Sequence, residues 1–215
     1  MDFALTTEQL RGALLKVCEV IAAGEPMLTE ADAAIGDGDH GQGMKTGFEA
    51  LAAQLRGQRC DNPYDLFYRS GVTLVRAMGG ASGVLFGTLF IGGLDYIRNR
   101  NELNTGDLCA FFGGSLQAIK RRGGTDVGDK TMIDALAGAV AAMNPADDLL
   151  AWSRKAWEGA ARGAESTRNM LPRAGRAKNF RERALGYPDP GALSTSLFFE
   201  GIYHYFRDIL FTEGD

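Results

Sequence analysis

Clustered glycines are the feature of this sequence that most restricts its fold. The chain has 29 glycines but only 6 prolines, and the glycines gather between apolar stretches. Within those stretches apolar residues recur every three or four positions, as Leu10, Leu14, Val17 and Ile21 do, which is the spacing of one helical face. No alternation of apolar and polar residues is long enough to indicate a strand. The sequence therefore predicts helices joined by glycine-rich loops.

Eight helical segments are predicted from this spacing. The first begins at a capping box, with Thr6 as the N-cap and Gln9 three residues further on. The last covers residues 193–211. No linker, repeat or low-complexity segment divides the chain, so we expect residues 1–215 to form a single all-α domain. The six segments between the first and the last lie near residues 48–55, 63–75, 84–94, 104–119, 132–143 and 149–160.

The composition argues against several classes of protein. The chain has 23 basic and 27 acidic residues, a formal net charge of −4, whereas a nucleic-acid-binding surface usually has a basic excess or patch. No run of about 18 apolar residues indicates a membrane span, and the first residues do not resemble a secretion signal. The cysteines, Cys18, Cys60 and Cys109, are scattered and form no CxxC motif. We therefore expect neither a disulfide framework nor a zinc site, and we expect a cytoplasmic location.

The first glycine-rich loop is residues 32–41, with the sequence DAAIGDGDHG. Its three carboxylates, Asp32, Asp37 and Asp39 (the aspartate triad), fall within eight residues, and glycines between them allow sharp turns. Carboxylates so close repel one another. A hard cation such as Mg²⁺, which binds carboxylate and phosphate oxygens, removes that penalty. The loop therefore indicates either a magnesium site or a solvated acidic turn, in which Asp and Gly are also common.

Three better-known motifs do not fit. Residues 36–41 formally match GxGxxG, but no apolar strand precedes them and their carboxylates would face a pyrophosphate. Position twelve of a calcium-binding loop counted from Asp37 is Phe48 rather than glutamate. A P-loop needs glycine before Lys-Thr, and Met44 and Asp129 stand there instead.

Three further glycine-rich loops hold polar groups. Residues 79–83, GGASG, offer backbone N–H groups and the Ser82 hydroxyl before an apolar helix, which suits either a phosphate or close helix packing. Residues 123–132, GGTDVGDKTM, contain two acids and a lysine, or simply form a capped surface turn. In the fourth loop, residues 175–191, Arg176 is a candidate phosphate ligand, and the closing Asp-Pro-Gly turn could merely mark a helix boundary.

Together these motifs make the sequence resemble a known family. DAAIGDGDHG is followed in order by GGASG with LFGT at residues 85–88, GDKTM at residues 128–132, GRA at residues 175–177 and DPGA at residues 189–192. Each motif is short, but the five in this order resemble the L, or nucleotide-binding, subunits of bacterial dihydroxyacetone kinases. The resemblance covers about residues 6–211, essentially the whole chain.

The resemblance implies a fold and a nucleotide site. The family fold is a closed barrel of eight amphipathic, antiparallel helices, whose connecting loops hold the nucleotide at one end. Asp32, Asp37 and Asp39 match the family's ligands for two Mg²⁺ ions, which bridge the phosphates of ADP or ATP. The same resemblance implies nucleotide contacts at His40, Gly41, Gln42, Gly43, Ala81, Ser82, Gly123, Met132, Arg176, Asp189, Pro190 and Gly191.

The resemblance also implies phosphotransfer. In the family, the phosphoryl group passes to dihydroxyacetone or a related short ketose, which a separate K subunit holds on a histidine. Neither His40 nor His204 of this chain is given that role. The aspartate triad and Arg176 are the expected catalytic groups, since phosphoryl transfer needs positioning and charge neutralisation and little covalent work by the protein.

Two modes of recharging and one regulatory role remain open. In the first mode, bound ADP is recharged in place by a phosphocarrier protein (M subunit) of the phosphoenolpyruvate-dependent phosphotransferase system, which family habit favours for an L chain without a fused substrate domain. In the second, ATP exchanges at each turnover. Alternatively, the chain is a nucleotide sensor that binds a transcriptional regulator. No nucleic-acid or membrane partner is expected.

Two departures from the family pattern fall in the expected nucleotide site or in the lid over it. Gly43 stands where many members carry an amide side chain, so we expect one polar phosphate contact to be missing. The sequence FRER at residues 180–183 contrasts with LGER in other members. We expect this change to alter the lid and its contact with a partner.

Overall fold

The structure is a computed structural model that describes residues 4–212, with side chains described as far as Ile209. Within this range the chain forms nine α-helices and one antiparallel pair of short strands, β1 (Leu5–Thr6) and β2 (Glu102–Leu103). The predicted segment 193–211 reaches past the described side chains, and residues 1–3 and 213–215 of the predicted domain lie outside the described range. The helices are α1 (Thr7–Ala23), α2 (Glu25–Ile35), α3 (His40–Gly57), α4 (Pro63–Met78), α5 (Gly80–Ile91), α6 (Thr105–Gly123), α7 (Met132–Ala142), α8 (Leu149–Ser166) and α9 (Pro190–Thr212).

Eight of these helices form a closed ring. Helix α1 packs against α3, the ring continues in chain order from α3 to α9, and α9 packs back against α1. The closing pair is antiparallel, because Gly12 near the start of α1 meets Tyr205 late in α9, while Gly24 at the end of α1 meets Leu197. The expectation of an all-α barrel of eight helices is therefore confirmed.

Helix α2 is the ninth helix and was not among the predicted segments. It begins after Gly24, has Pro26 in its first turn, and packs against α3 and α9 at one end of the ring. Its buried apolar residues are only Leu28 and Ile35, too few to produce a periodic signal. The prediction that residues 32–41 form one loop is wrong for this reason. Asp32 lies in the last turn of α2, and α3 already begins at His40.

The interior of the ring is filled by aromatic and aliphatic side chains. Phe112 lies at its centre, with its ring centroid 5.1 Å from that of Phe199 and 6.1 Å from that of Trp152. Phe48 and Phe86 meet edge to face at 6.0 Å on the side of α3 and α5. Edge-to-face contacts of this kind add stability beyond the area they bury. The packed core gives the loops at either end a rigid support.

Helices α7 and α8 approach each other closely through glycine. A Cβ atom on Gly138 would lie 2.3 Å from the Gly159 carbonyl oxygen, and one on Gly163 would lie 2.3 Å from the Asp134 carbonyl oxygen. A side chain at either position would therefore force the two backbones apart. This contact fixes the first turn of α7 beside the last turn of α8.

The antiparallel ring brings alternate helix ends together. The N-termini of α3, α5, α7 and α9 lie at the same end of the barrel as the C-termini of α4, α6 and α8, and α2 lies there too. We call this the site end. All four predicted glycine-rich loops belong to it. Over residues 4–212, no helix has both the length and the apolar character required to cross a bilayer.

Candidate functional site

A cavity of about 1100 Å³ opens at the site end. Its walls come from the starts of α3, α5, α7 and α9 and from the segment that connects α8 to α9. The structure therefore brings together loops that are far apart in sequence. The residues singled out from the sequence that line this cavity are Asp32, Asp39, His40, Gln42, Gly43, Ala81, Ser82, Gly123, Met132, Arg176, Asp189, Pro190 and Gly191.

Two of the singled-out residues do not line the cavity. Gly41 is buried between α3 and α2, where a Cβ atom would lie 2.2 Å from the Thr29 hydroxyl oxygen. Its place in the motif is therefore explained by helix packing. Asp37 is exposed at the edge of the cavity, but its carboxylate still belongs to the aspartate triad.

The aspartate triad converges in space. One carboxylate oxygen from each of its members lies within 4.8 Å of those of the other two. Asp32 is buried, whereas Asp37 and Asp39 are exposed. Two glycines make the turn possible. A Cβ atom on Gly36 would lie 2.2 Å from an Asp32 carboxylate oxygen, and Gly38 has a φ of +79°, a conformation that glycine adopts readily.

Arg176 lies over the triad. It is the first residue of a short 3₁₀-helix, Arg176–Asn179, and its Nη1 atom is 3.0 Å from the Asp39 carboxylate and also pairs with Asp37. The side chains of Arg176, Asp37 and Asp39 are each at least half exposed. Ion pairs between exposed side chains contribute only about 0–1 kcal/mol to stability. The guanidinium therefore neutralises two carboxylates through contacts weak enough to be exchanged for others.

The helix N-termini at the cavity differ in how they are capped. Helix α7 has a complete capping box formed by Thr131 and Asp134. The first N–H of α3, that of His40, is bound by the Asp32 carboxylate, whereas α5 has no side-chain cap in the described structure. In α5 the N–H groups of residues 80–82 precede the first helical bond, from Gly83 N–H to the Gly79 carbonyl. Unpaired N–H groups and the helix dipole attract anions such as phosphate. The start of α5 therefore suits a phosphate group.

His40 connects three of the converging helices. Its Nε2 atom is 2.6 Å from the Ser194 hydroxyl of α9, and its Nδ1 atom is 3.4 Å from the Ser82 hydroxyl of α5. Because the Ser194 hydroxyl donates to the Pro190 carbonyl, it accepts from Nε2–H, which leaves Nδ1 as an acceptor. Burial lowers the pKa of His40. The neutral imidazole thus acts as a connector between the helix starts.

Asp189 caps the last helix from inside the site. Its carboxylate accepts a hydrogen bond of 2.8 Å from the Ala192 N–H, and its own N–H donates to the Thr167 hydroxyl at 2.8 Å. Burial raises the pKa of this carboxyl to about 7. Asp189 therefore serves as a helix cap whose carboxyl is easily protonated.

Sequence reasoning missed the apolar part of the cavity. Met78, Leu85, Ile119 and Ile133 line it together with the polar loops, and apolar walls with a few fixed polar groups are typical of small-molecule sites. Leu85 was quoted within the LFGT motif, but its exposure to the cavity could not be read from the sequence. These side chains provide a surface on which a nucleotide base can pack.

The segment between α8 and α9 is attached to α2 by a small apolar cluster. Ile35 of α2 packs with Ala177 and Ala184, and Phe180 lies against the same group. Phe180 begins the FRER sequence that departs from the family pattern. At the other departure, Gly43, a Cβ atom would meet nothing within 4 Å, so the cavity has room for a larger side chain there.

The donor set fits Mg²⁺. The triad offers only carboxylate oxygens, which are hard ligands, and it lies at the same cavity as the start of α5, which favours phosphate. Thiol and imidazole ligands of a zinc site are not part of the triad. Fold and site together describe a helical-barrel protein whose site end has groups that suit a divalent cation and a phosphorylated ligand.

Comparisons with known proteins agree with this class. The family model for the DAK2 domain matches residues 34–204. The ADP-binding subunit DhaL of the PEP-dependent dihydroxyacetone kinase of Escherichia coli is 32% identical over 89% of this chain and 93% of its own length. The corresponding subunit of kinase 2 from Listeria innocua is 34% identical over 78% of this chain and 80% of its own length. The chain therefore belongs to the DAK2 domain family.

A solved structure shows the same fold. The dihydroxyacetone kinase of C. freundii in complex with AMP-PNP and Mg²⁺ is similar with a TM-score of 0.75 and 29% identity. The match covers 95% of this chain and 35% of that one, so this chain spans about a third of that kinase. The resemblance to dihydroxyacetone kinase L subunits and the prediction of a phosphotransferase are confirmed by these relatives.

Proposed function

We propose that this chain is the nucleotide-binding subunit of a kinase for short ketoses. It holds ADP or ATP through two Mg²⁺ ions and passes a phosphoryl group to dihydroxyacetone or a related ketose on a separate K subunit. The observation that carries this proposal is the convergence of the aspartate triad with the start of α5, which has no side-chain cap in the described structure, at one cavity. The named ADP-binding relatives and the AMP-PNP complex of the C. freundii kinase support it.

The aspartate triad has the charge that two divalent ions require. Three ionised carboxylates carry three negative charges, and the phosphates of a nucleotide add more, so one divalent ion would leave a large repulsion between protein and ligand. When bound, Mg²⁺ supplies neutralisation of the phosphate oxygens and orients them. Asp32, buried and hydrogen-bonded, fixes the position of the site. Asp37 and Asp39 face outward, where the phosphoryl group leaves.

Arg176 and the start of α5 act on the phosphates from two sides. The N–H groups of residues 80–82 and the Ser82 hydroxyl donate to phosphate oxygens from the wall of the cavity. Arg176 exchanges its contacts with Asp37 and Asp39 for charge-assisted hydrogen bonds to the transferred group. These groups position and stabilise charge, which is the main demand of phosphoryl transfer.

The partner contact is proposed on the segment that carries Arg176. Residues 168–187 contain six basic residues and one acidic residue, although the whole chain has a net charge of −4. Leu171, Leu185 and Tyr187 in the same segment are exposed. A basic surface with exposed apolar side chains suits an acidic protein partner. Both the K subunit and a phosphocarrier protein must reach the phosphates at this end of the barrel.

We further propose that ADP is recharged in place by a phosphocarrier of the phosphoenolpyruvate-dependent system. The relatives that this chain matches over most of their length are named as ADP-binding subunits of PEP-dependent kinases. Relatives of other names, such as the L-erythrulose 1-kinase of Mycolicibacterium smegmatis, are matched over only 33% of their length. A cytoplasmic location remains a prediction from the sequence.

The test is reconstitution with a K subunit. Native mass spectrometry first determines whether the purified chain retains ADP. The chain is then mixed with Mg²⁺, dihydroxyacetone and a K subunit, and either ATP or phosphoenolpyruvate with its phosphocarriers is supplied. We expect phosphorylated ketose only in the second mixture, and none with the Asp37→Asn variant. Product from ATP alone would favour nucleotide exchange. Binding of a transcriptional regulator without any ketose phosphorylation would favour a sensor.

A further inference from the structure

The segment that carries Arg176 is closed at its base. Residues 168–187 leave the barrel after α8 and return before α9. At the base, the Gly186 N–H donates to the Arg168 carbonyl at 2.9 Å, and Arg168 Nη1 donates to the Gly186 carbonyl at 2.7 Å. We call Thr167, Arg168, Gly186 and Tyr187 the neck. The segment therefore has the form of a large loop with its two ends held together.

Lys130 enters the neck from a different part of the chain. It lies in the loop between α6 and α7, and its Nζ atom donates to the Thr167 carbonyl at 2.5 Å and to the Tyr187 carbonyl at 2.6 Å. One of these carbonyls precedes the segment and the other ends it. A single ammonium group thus joins the two chain segments of the neck to each other and to the start of α7.

The position of Lys130 is costly in two ways. The side chain is 0% exposed, although lysine is almost never fully buried unless it is paired. Its backbone has a φ of +60°, a conformation that is unfavourable for any residue with a Cβ atom. Costly features of this kind persist where the surrounding structure imposes them, and they concentrate at functional sites. The two hydrogen bonds of Lys130 close the neck, and this contribution offsets the cost of burying its side chain.

The residue next to Lys130 holds the same segment. The Asp129 carbonyl accepts a hydrogen bond of 3.1 Å from the Arg173 N–H, and the Asp129 carboxylate lies 3.5 Å from Arg173 Nη1. Arg173 is three residues before Arg176. The loop between α6 and α7 therefore holds both the neck and the approach to the Arg176 guanidinium.

We propose that Lys130 is a positioning residue that closes the neck of segment 168–187, and thereby holds Arg176 over Asp37 and Asp39 and retains the bound nucleotide. Two of the three ammonium hydrogens are donated to the carbonyls of the neck, so the role proposed for Lys130 is exerted through the segment. The statement about the neck stands on the contacts alone. The statement about nucleotide retention rests on the proposed function.

The first experiment measures hydrogen–deuterium exchange of the whole chain without nucleotide. In Lys130→Met the side chain keeps its bulk but cannot donate, and loss of hydrogen bonds from a charged donor is expected to speed exchange in residues 168–187 by on the order of tenfold. Lys130→Arg, which can still donate to both carbonyls, is expected to restore most of the protection. Lys178→Met, on the same segment but outside the neck, is the matched control and should behave as the wild type.

The outcome decides between positioning and general stability. Faster exchange confined to residues 168–187 and the adjoining loop of Lys130 supports the proposal. Unchanged exchange there, or equally faster exchange throughout α7, α8 and α9, overturns it. Should Lys130→Met fail to fold, Lys130→Gln provides the comparison, since its side chain is polar but uncharged and is too short to keep both contacts of the ammonium group.

The second experiment measures release of Mg²⁺ and ADP by stopped flow with a fluorescent ADP analogue. We expect Lys130→Met to release the analogue about tenfold faster, as estimated from the lost charged hydrogen bonds, and Lys130→Arg to release it at nearly the wild-type rate. Unchanged release from Lys130→Met would overturn the link to nucleotide retention. If the wild-type chain binds no Mg²⁺ and ADP, the proposed function fails, while the exchange experiment still tests the neck.

Discussion

The backbone N–H of His40 donates a hydrogen bond of 3.1 Å to the carboxylate of Asp32. This bond links the last turn of α2 to the first turn of α3, on either side of the turn that carries Asp37 and Asp39. The buried member of the aspartate triad thus has a structural role besides the ligand role proposed for it. The two roles can be separated by substitution, because an asparagine side chain accepts the same hydrogen bond without the negative charge.

We predict that Asp32→Asn keeps the stability of the wild type but loses Mg²⁺-dependent ADP binding. Loss of groups that only support metal ligands already costs about 10–100-fold in affinity, so we expect loss of this carboxylate to weaken binding by more than about 100-fold. Asp32→Ala should lose the same affinity and, in addition, about 1 kcal/mol of stability from the missing hydrogen bond. Calorimetry with and without Mg²⁺, and urea unfolding, measure the two effects.

The exposed aspartates of the triad are predicted to contribute to Mg²⁺-dependent ADP binding and very little to the stability of the fold. Asp37→Ala should abolish Mg²⁺-dependent ADP binding in calorimetry with little effect on unfolding, because its side chain is exposed and pairs only weakly with Arg176. Asp61→Asn, an exposed aspartate in the loop before α4, is the matched control and should bind as the wild type does. Unchanged affinity in Asp37→Ala would remove the basis for the metal site.

Arg176 is predicted to contribute more to transfer than to binding. In Arg176→Ala, Asp37 and Asp39 lose a competing cation, which favours Mg²⁺, while the transferred phosphoryl group loses a charged donor. We therefore expect the transfer rate to the ketose to fall by about 100-fold or more, the usual effect of removing a donor aimed at developing charge, with little change in ADP affinity. The measurement is kcat in the reconstituted system beside the calorimetric Kd. A fall in affinity with an unchanged kcat would contradict this role.

The fold could be predicted from the sequence because its helices repeat apolar residues. The spine of α1 and the Thr6–Gln9 capping box were visible in the residues themselves, and both occur as predicted. Helix α2 was not visible, since Leu28 and Ile35 are two turns apart with little apolar sequence between them. The short β1–β2 pair was not visible either, because two residues carry no alternation.

The candidate site could be predicted only where chemistry is concentrated in short motifs. The spacing of the three aspartates indicated that they could converge, and the structure places their oxygens together. The roles of Lys130 and Gly41 depend on what lies opposite them, namely the carbonyls of the neck and the Thr29 hydroxyl. Such contacts join residues from different loops, so no local pattern of residues reports them.

The stability of the start of α5 is predicted to depend on the backbone conformation of Gly80 rather than on the space around this residue. Gly80 has a φ of +54°, yet a Cβ atom there would meet nothing within 4 Å. Gly80→Ala should therefore lose about 1–2 kcal/mol of unfolding free energy from backbone strain alone. The matched control is Gly43→Ala, which has equally open surroundings but lies in helix α3, and it should gain about 0.5–1 kcal/mol. Urea unfolding of both variants measures the difference, and equal effects would contradict the assignment to strain.

Asp189 is predicted to make the nucleotide-free protein less stable as the pH rises. Burial raises the pKa of its carboxyl to about 7 from an ordinary value of 3.8, so between these two values the folded state holds a proton that the unfolded state has lost. The free energy of unfolding contributed by this group therefore falls as the pH rises through that window. The contribution is constant below the unfolded pKa and stays low above the folded one.

The Asp189→Asn variant tests this prediction, because asparagine can still accept the Ala192 hydrogen bond but does not ionise. We expect the unfolding free energy of the wild type to fall more between pH 5 and pH 8 than that of the variant, with Asp61→Asn following the wild type. The difference between the two pH profiles isolates Asp189 from every other titrating group. Parallel profiles for the wild type and Asp189→Asn would contradict the raised pKa of the Asp189 carboxyl.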